Sequence, residues 1–323
     1  MLMRQLEYLT ALAREQHFAR AAMACHVSQP ALSAGIRKLE SELDVPIVRR
    51  GHRFEGFTPE GERVLRWAYR LLAERDALTG EVGPMREGHT GTLRIGVLPE
   101  AAAPLAHITA GFGVRHPRVR LVVRSLPAAD IDAALARFDL DVGVTRLPAA
   151  AARDRNRAVR LFRTRHALVT CEDGRFSGVS AVRWAELAHV PMARFTADPE
   201  GQRLLDEAMA ASGTPWAAQV ETDSLPALYT HVREGGWCAV LPHAWLCGAE
   251  PPPGLRVLPM VEPVSDIEVG MVAPERRPEP LLARELLAHA RGVPVQGIVD
   301  RVLPAAAAAA PAALPRASGA GAG

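Results

Sequence analysis

A chain of 323 residues is longer than one ordinary domain of roughly 100–200 residues, so two or three folded units are expected. Its 48% apolar and 23% charged content excludes a wholly disordered chain and is enough to fill real cores. The net charge of +2 excludes bulk electrostatics as a route to nucleic acid, so any such contact has to come from local patches.

Residues 1–57 hold short helical patterns with tight turns. The first helix of interest offers Phe18, Ala21, Ala22 and Cys25, small residues at a crossing that let two helices approach closely. His26 and Val27 then make a turn, Ser28 suits an N-cap, and Pro30 sits in the first turn, where its missing N–H costs nothing. From there Leu32, Ile36, Leu39 and Leu43 recur at i, i+4, i+7 and i+11, one apolar face that packs inward. Gln29, Ser33 and Arg37 are left on one outer edge, with Pro30, Ala34 and Lys38 beside it. These are amide, hydroxyl and guanidinium groups of the kinds that read base edges or hold phosphates. The spacing predicts a helix-turn-helix whose reading helix spans 28–43. A plain solvated amphipathic helix has the same binary pattern, so the neighbouring segment decides. Residues 49–57 form a glycine-bearing hairpin with Arg49, Arg50, His52 and Arg53, a basic wing suited to a phosphate backbone. Residues 1–70 carry eleven Lys/Arg against eight Asp/Glu, so positive charge is focused at this end.

Thr58 and Pro59 open a long helix, predicted to reach about Glu81. Val64, Leu65, Ala68, Leu71, Leu72 and Leu78 recur on one face at coiled-coil-like spacing, which reads as a dimerisation rod. Packing on its own chain is the alternative.

Beyond the Gly88–Gly91 loop, strand and helix alternate. Strands are predicted at 92–98, 119–123, 140–145, 161–170, 189–194, 217–221, 237–241, 254–259 and 267–273. Helices are predicted at 101–115, 131–138, 182–187, 199–212, 224–234 and 280–291. This alternation predicts an α/β unit with a mostly parallel sheet and helices on both faces. The stretch from about Pro304 is rich in Ala, Pro and Gly and reads as a disordered tail.

The strings Phe18-Ala-Arg-Ala-Ala22, Val27-Ser-Gln-Pro-Ala-Leu-Ser33, Ile36, Leu39-Glu40, Leu43 and Thr58-Pro-Glu-Gly61 resemble the LysR-type transcriptional regulators. Thr92–Val97, Arg115-His116-Pro117, Asp139–Gly143 and Gly235–Pro242 extend the resemblance to about Gly292. Two departures stand out: Ile47-Val48 replaces the usual Leu-Phe before the wing, and the wing is rich in arginine.

The resemblance implies an N-terminal all-α winged helix-turn-helix (1–58) and a linker or dimerisation helix (59–87). A two-lobed, periplasmic-binding-protein-like α/β effector domain (88–300) follows, with the tail at 301–323. Lobe one would comprise 91–146 and 261–292, and lobe two 147–260, with the crossovers acting as a hinge. It further implies double-stranded DNA with two-fold-related half-sites as a partner, a small-molecule effector between the lobes, self-association as a dimer or tetramer, and a contact with RNA polymerase. No cofactor and no metal are expected.

Carried over position by position, the cleft would be lined by Pro99, Glu100 and Ala101 at a helix start, by Thr145, Arg146, Arg194 and Phe195 at strand ends, and by Thr222, Asp223 and Ser224 before the next helix. Glu100 stands where the family often has a hydroxyl, and would equally serve as a helix-dipole complement. Asp223 or Ser224 would equally serve as a plain cap. Acidic and basic candidates coexist, leaving the ligand's charge open.

The four cysteines, Cys25, Cys171, Cys238 and Cys247, form no C-x-x-C pair and no zinc-spaced cluster, so free thiols in a reducing cytosol are expected. The opening residues lack the apolar core of a signal peptide, and no apolar run reaches the ~18 residues of a membrane span, so the expected location is the cytoplasm. G-x-S-x-G, H-E-x-x-H and the phosphate-binding glycine motifs are missing, and no enzyme is expected. A free-standing solute-binding protein would fit 91–292 but leave Phe18–Gly61 without a purpose. A thiol sensor of the same family would need Cys238 and Cys247 to bridge. The peroxide-sensing relatives place their pair earlier, in the stretch corresponding to 197–212, which holds no cysteine here.

Overall fold

The computed structural model describes residues 1–49, 54–82, 90–147, 158–213, 216–248, 251–262, 266–274 and 280–303. Four helices come first: α1 (Met3–Glu15), α2 (Phe18–Ala24), α3 (Gln29–Leu43) and α4 (Pro59–Val82). Leu6, Leu9 and Leu12 of α1 meet Ala21 and Ala22 of α2, Leu32, Ile36 and Leu39 of α3, and Leu65 and Ala68 of α4 in one core. His26 takes a positive φ of 54° in the turn before α3. The Ser28 hydroxyl then accepts the Ala31 amide at 3.4 Å, capping α3 as its spacing predicts. Gly35 lies where α3 crosses α1, and a Cβ there would come within 2.6 Å of the Tyr8 ring. After α3, Val48 and Phe57 pair as an antiparallel bridge, forming the base of the wing. Gly61 packs its α-carbon so tightly on the chain that a Cβ would stand 2.1 Å from the Ile47 carbonyl oxygen.

The second half contains β1 (Gly91–Val97), α5 (Ala102–Arg115), β2 (Val119–Ser125), α6 (Ala128–Ala136), β3 (Val142–Arg146), β4 (Ala158–Cys171), β5 (Val182–Arg183) and β6 (Met192–Phe195). It continues through α7 (Pro199–Ala211), β7 (Ala218–Thr222), α8 (Leu225–Gly235), β8 (Ala239–Pro242), β9 (Leu255–Val261), β10 (Asp266–Val272), α9 (Leu281–Ala290) and α10 (Val295–Val299). Single 3-10 turns sit at Pro99–Ala101, Trp184–Leu187, His243–Leu246 and Asp300–Val302. The main sheet runs β2-β1-β3-β10-β4-β9-β5, with β8 also on β4, while β6 and β7 form a separate pair.

The sheet corrects the expectation of a mostly parallel arrangement. β1 pairs in parallel with β2 and β3, but β10 lies antiparallel to both β3 and β4, and β4 lies antiparallel to β8 and β9. The reason is topological: the chain leaves the first lobe and comes back, and its outward and return strands, β4 and β10, lie side by side. β4 is shared between the lobes. Its residues up to Arg165 pair with β10, and those from His166 onward pair with β8 and β9, in contrast to the expected assignment of 147–260, and so of the whole strand, to lobe two. One core gathers β1, β3, α5, α6 and α9 in lobe one, and two others flank the second lobe's sheet. The turn at Asp300–Val302 belongs to the fold, with Val302 and Leu303 packed on lobe two, although the tail is expected from 301. Residues 304–323 lie outside the described residues.

Candidate nucleic-acid interface and effector cleft

The reading helix is built from its back outward. Leu32, Ile36 and Leu39 are at most 2% exposed, which fixes α3 about its own axis and turns the intervening residues to solvent. Ser28, Gln29, Pro30, Arg37 and Lys38 are exposed, and Ser33 is half-buried at the edge. Arg49 is exposed at the base of the wing; Arg50, His52 and Arg53 lie outside the described residues. Sequence reasoning missed the residue that ties wing to helix. Glu40, on the last turn but one of α3, accepts the amides of Ile47 and Val48 through one carboxylate oxygen, at 2.8 and 3.0 Å. Its only legible signal was its place in the Leu39-Glu40 string.

The stripe expected on α4 divides. Leu65 and Ala68 are buried in the chain's own helical core, and Val64, Leu71 and Leu72 are half-buried against it. Leu65 and Ala68 therefore cannot meet a partner as the spacing suggested, because α1 packs on that face of α4. Leu78 remains 62% exposed, and so does Trp67, at 59%, which the apolar stripe had not included.

In the second half the polar candidates converge on one guanidinium. Arg146, at the end of β3, donates to Glu100 Oε1 at 2.6 Å, to Glu200 Oε2 at 3.0 Å and to Asp198. Glu100 belongs to the turn after β1, whereas Asp198 and Glu200 begin α7 in lobe two, so the ion cluster spans the gap between the lobes. Its side chains are 0% exposed at Glu100, 6% at Asp198 and 10% at Arg146. Gly201 keeps α7 close, since a Cβ there would meet the Asp198 carboxylate at 2.2 Å. Burial pushes Glu100 up to about 7, Asp198 adds to the rise and Arg146 opposes it.

His166, where β4 passes from one lobe to the other, stands edge-on to Trp184. Burial drives it down to about 4, with the charge of Arg146 adding to the effect. His243 is pushed down by burial as well. Its Nδ1 accepts the Arg165 amide at 2.8 Å and lies 3.2 Å from the Thr164 hydroxyl. Asp198, Glu200, His166 and His243 all went unnoticed in the sequence, because nothing in local spacing marks a contact between residues fifty positions apart.

Of the other expected cleft residues, Thr145 is buried beside Arg146 and Pro99 is half-buried beside Glu100. Ala101 is fully buried in the lobe-one core, which removes it from any ligand surface. Phe195 packs edge-on against Trp245 in a lobe-two core. Arg194 pairs with Gln202 and Asp206 of α7 and stacks on Trp216. Ser224 caps α8 by accepting the Ala227 amide at 3.5 Å, while Thr222 accepts the Ser224 amide. The plain cap is therefore the role observed for Ser224, and Asp223 stands exposed beside it.

A cavity of about 400 Å³ opens elsewhere, where Arg14 of α1 and Tyr69 and Leu72 of α4 meet Arg94, Arg124 and Arg137 of lobe one. Burial and nearby Asp139 push Tyr69 up to about 12. The four cysteines are free; Cys238 and Cys247 are buried. Burial pushes the thiols of Cys25, Cys238 and Cys247 up, away from the reactive thiolate. No described helix is long and apolar enough to cross a membrane.

Comparison with known proteins places both halves. Residues 3–62 match the bacterial regulatory helix-turn-helix protein model of the lysR family, and residues 86–294 match the LysR substrate binding domain. The chain is 31% identical to the DNA-binding transcriptional dual regulator OxyR of Escherichia coli over 308 residues, covering 94% of this chain and 99% of that protein. It is 33% identical to the SDS degradation transcriptional activation protein of a Pseudomonas species over 74% of this chain and 78% of the relative. Among solved structures, full-length OxyR from Pseudomonas aeruginosa, in a cysteine-substituted form, superposes with a TM-score of 0.70 at 24% identity, covering 92% and 97% of the two chains. Full-length CbnR in complex with its target DNA gives a TM-score of 0.60 at 20% identity, covering 90% and 99%. The exposed reading helix, the two-lobed α/β half and these matches make this chain a member of the LysR family of DNA-binding transcriptional regulators, with an effector-binding domain.

Proposed function

We propose that α3 and the wing read an operator in the cytoplasm, that the exposed face of α4 joins two copies of the chain, and that a small molecule held between the lobes controls the affinity or geometry of DNA binding without chemical turnover. Gln29, Ser33 and Arg37 are the base-edge residues, and Pro30 packs on a thymine methyl. Ser28, Lys38, Arg49, Arg50, His52 and Arg53 serve the phosphate backbone. What carries the reading is the contrast across α3, with Leu32, Ile36 and Leu39 sealed beneath and Gln29, Arg37 and Lys38 exposed. The effector arm is supported by the ion cluster at Arg146, where a ligand in the gap would alter contacts that join the lobes.

The test is capture of genomic fragments by the purified full chain, followed by mobility shifts on the captured operator with and without a dialysable extract of the host cell. Specific capture and an extract-dependent change are expected. Failure of capture would remove the DNA arm, and indifference to the extract the effector arm.

A second reading, peroxide sensing through thiols, draws on relatives named hydrogen peroxide-inducible genes activators. The buried thiols of Cys238 and Cys247 and the absence of cysteine from 172–237 favour the small-molecule reading instead. A Cys238–Cys247 disulfide seen by mass spectrometry after mild peroxide would reverse that preference.

A further inference from the structure

Arg146 is outnumbered. With every carboxyl ionised, its single positive charge faces Glu100, Asp198 and Glu200, leaving a surplus of two negative charges. Glu200 is 41% exposed and shares its charge with water, but Glu100 and Asp198 do not. Uncompensated buried carboxylate is costly, by several kcal/mol per ion after relaxation. Among the described residues, the buried polar atoms without a hydrogen-bond partner include Glu100 Oε2, Arg146 Nε and both ring nitrogens of His166. His166 is 1% exposed, and it lies close enough to Arg146 to feel its charge. Buried polar atoms are paired in roughly nine cases of ten or more, so the orphaned atoms of Glu100 and Arg146, which are in direct contact between the lobes, together with those of His166, point to polar atoms of another molecule.

We propose that the cleft between the lobes accepts a small organic cation, an amine or a guanidine, at Glu100 and His166. The inference rests on the reading of this cleft as the effector site and adds the ligand's charge. Glu100 Oε2 lacks a donor, and so does the unprotonated ring nitrogen of neutral His166; ammonium or guanidinium N–H groups supply both. The positive charge offsets the surplus carboxylate. An anion meets the reverse situation, because Arg146 already donates to three carboxylates of the chain itself and has only its Nε–H and one Nη1–H left. Burial, with the nearby charge of Asp198 adding to it and Arg146 opposing, raises Glu100 towards neutral pH. Since Asp198 and Glu200 come from lobe two, a cation that engages Glu100 reorganises a contact across the hinge.

The experiment uses the full-length protein at pH 7.5 with agmatine, and separately with succinate at matched ionic strength. It reads the thermal midpoint and the tryptophan fluorescence, to which Trp184 beside His166 contributes. Agmatine well above its Kd is expected to raise the midpoint by on the order of 3 °C, and succinate to leave it unchanged. Glu100→Gln should abolish the agmatine shift, with its fold checked by circular dichroism. Glu200→Gln, at the exposed rim, removes one charge without touching the buried pair and should weaken apparent agmatine affinity several-fold. A shift with succinate alone, no shift with agmatine, or an agmatine shift undiminished in both variants would each overturn the assignment. If the cell extract still changes operator binding in any of those cases, the effector-cleft reading stands and only the ligand's charge is wrong.

Discussion

Glu100 Oε1 accepts a hydrogen bond from Arg146 Nη2 at 2.6 Å, with the carboxyl group wholly buried, and the same guanidinium adds to the burial that works against protonation of His166. The two titrations oppose each other. Glu100 is raised from 4.5 to about 7 in the folded chain, so its stabilising contribution is complete below 4.5 and is lost as pH climbs towards 7. His166 is lowered from 6.5 to about 4, so its contribution is complete above 6.5 and is lost as pH falls towards 4. Between 4.5 and 6.5 the slopes cancel in part. Glu100→Gln removes the Glu100 titration alone, and the variant's thermal midpoint should fall more steeply than the parent's between pH 6.5 and 4.5. Parallel profiles for the two proteins would show that Glu100 does not titrate in that range.

Glu40 holds the start of the wing through two backbone amides. Hydrogen bonds to a charged acceptor contribute about 1.5–3 kcal/mol each, so Glu40→Ala should destabilise the helical domain by roughly 2–4 kcal/mol once water replaces part of the loss. Glu40→Gln retains a carbonyl acceptor and should recover about half of that loss. Chemical denaturation followed by far-ultraviolet dichroism measures both. Operator affinity should fall with Glu40→Ala even at temperatures where the domain remains folded, because the wing loses its anchor. Unchanged stability in both variants would mean that Ile47 and Val48 are held by packing alone.

These two sites differ in how far the sequence exposes them. The reading helix is legible from Leu32, Ile36 and Leu39, because helical periodicity is local and buried faces repeat every three or four residues. The cap at Ser28 is legible for the same reason. Arg146 is legible as a strand-end residue, but its partners Asp198 and Glu200 are not, since they reach it only after the chain has crossed to the second lobe and folded back. The antiparallel course of β4 and β10 was missed on similar grounds: periodicity reports a strand's faces and says nothing of its direction. Leu65 and Ala68 show the reverse error. Their spacing fits a coiled coil and equally fits a helix packed on its own domain, and only the position of α1 decides between them.

That outcome for α4 separates two kinds of apolar residue. Leu65 is 7% exposed and Leu78 62%; they are thirteen residues apart on one helix, and Trp67 and Leu78 fall at i and i+11, on a common exposed stripe. Leu78→Glu should dissociate the dimer, measured as a rise of tenfold or more in the dissociation constant by sedimentation, while leaving the unfolding of the helical domain almost unchanged. Leu65→Glu buries a charge in the core and should lower that unfolding free energy by about 3 kcal/mol or more. A dimer that survives Leu78→Glu intact would place the interface elsewhere.

Operator binding offers a cleaner division still, because phosphate and base contacts respond differently to salt. Arg49 is exposed beside the wing and Gln29 at the N-terminus of α3. Loss of one phosphate contact per protomer lowers the slope of log affinity against log salt by about 0.9 for each contact. Arg49→Ala in a dimer should therefore flatten that slope by roughly 2 and weaken specific and non-specific DNA to a similar degree. Gln29→Ala should leave the slope unchanged and cost about 1–3 kcal/mol on the preferred operator only, narrowing its advantage over variants changed at one base pair. Fluorescence anisotropy titrations from low to moderate salt, on the operator and on a scrambled duplex, resolve the two effects. If both substitutions lowered affinity equally on both duplexes, Gln29 would be holding the backbone, and the reading of bases would have to pass to Ser33 and Arg37, the next residues along the same face.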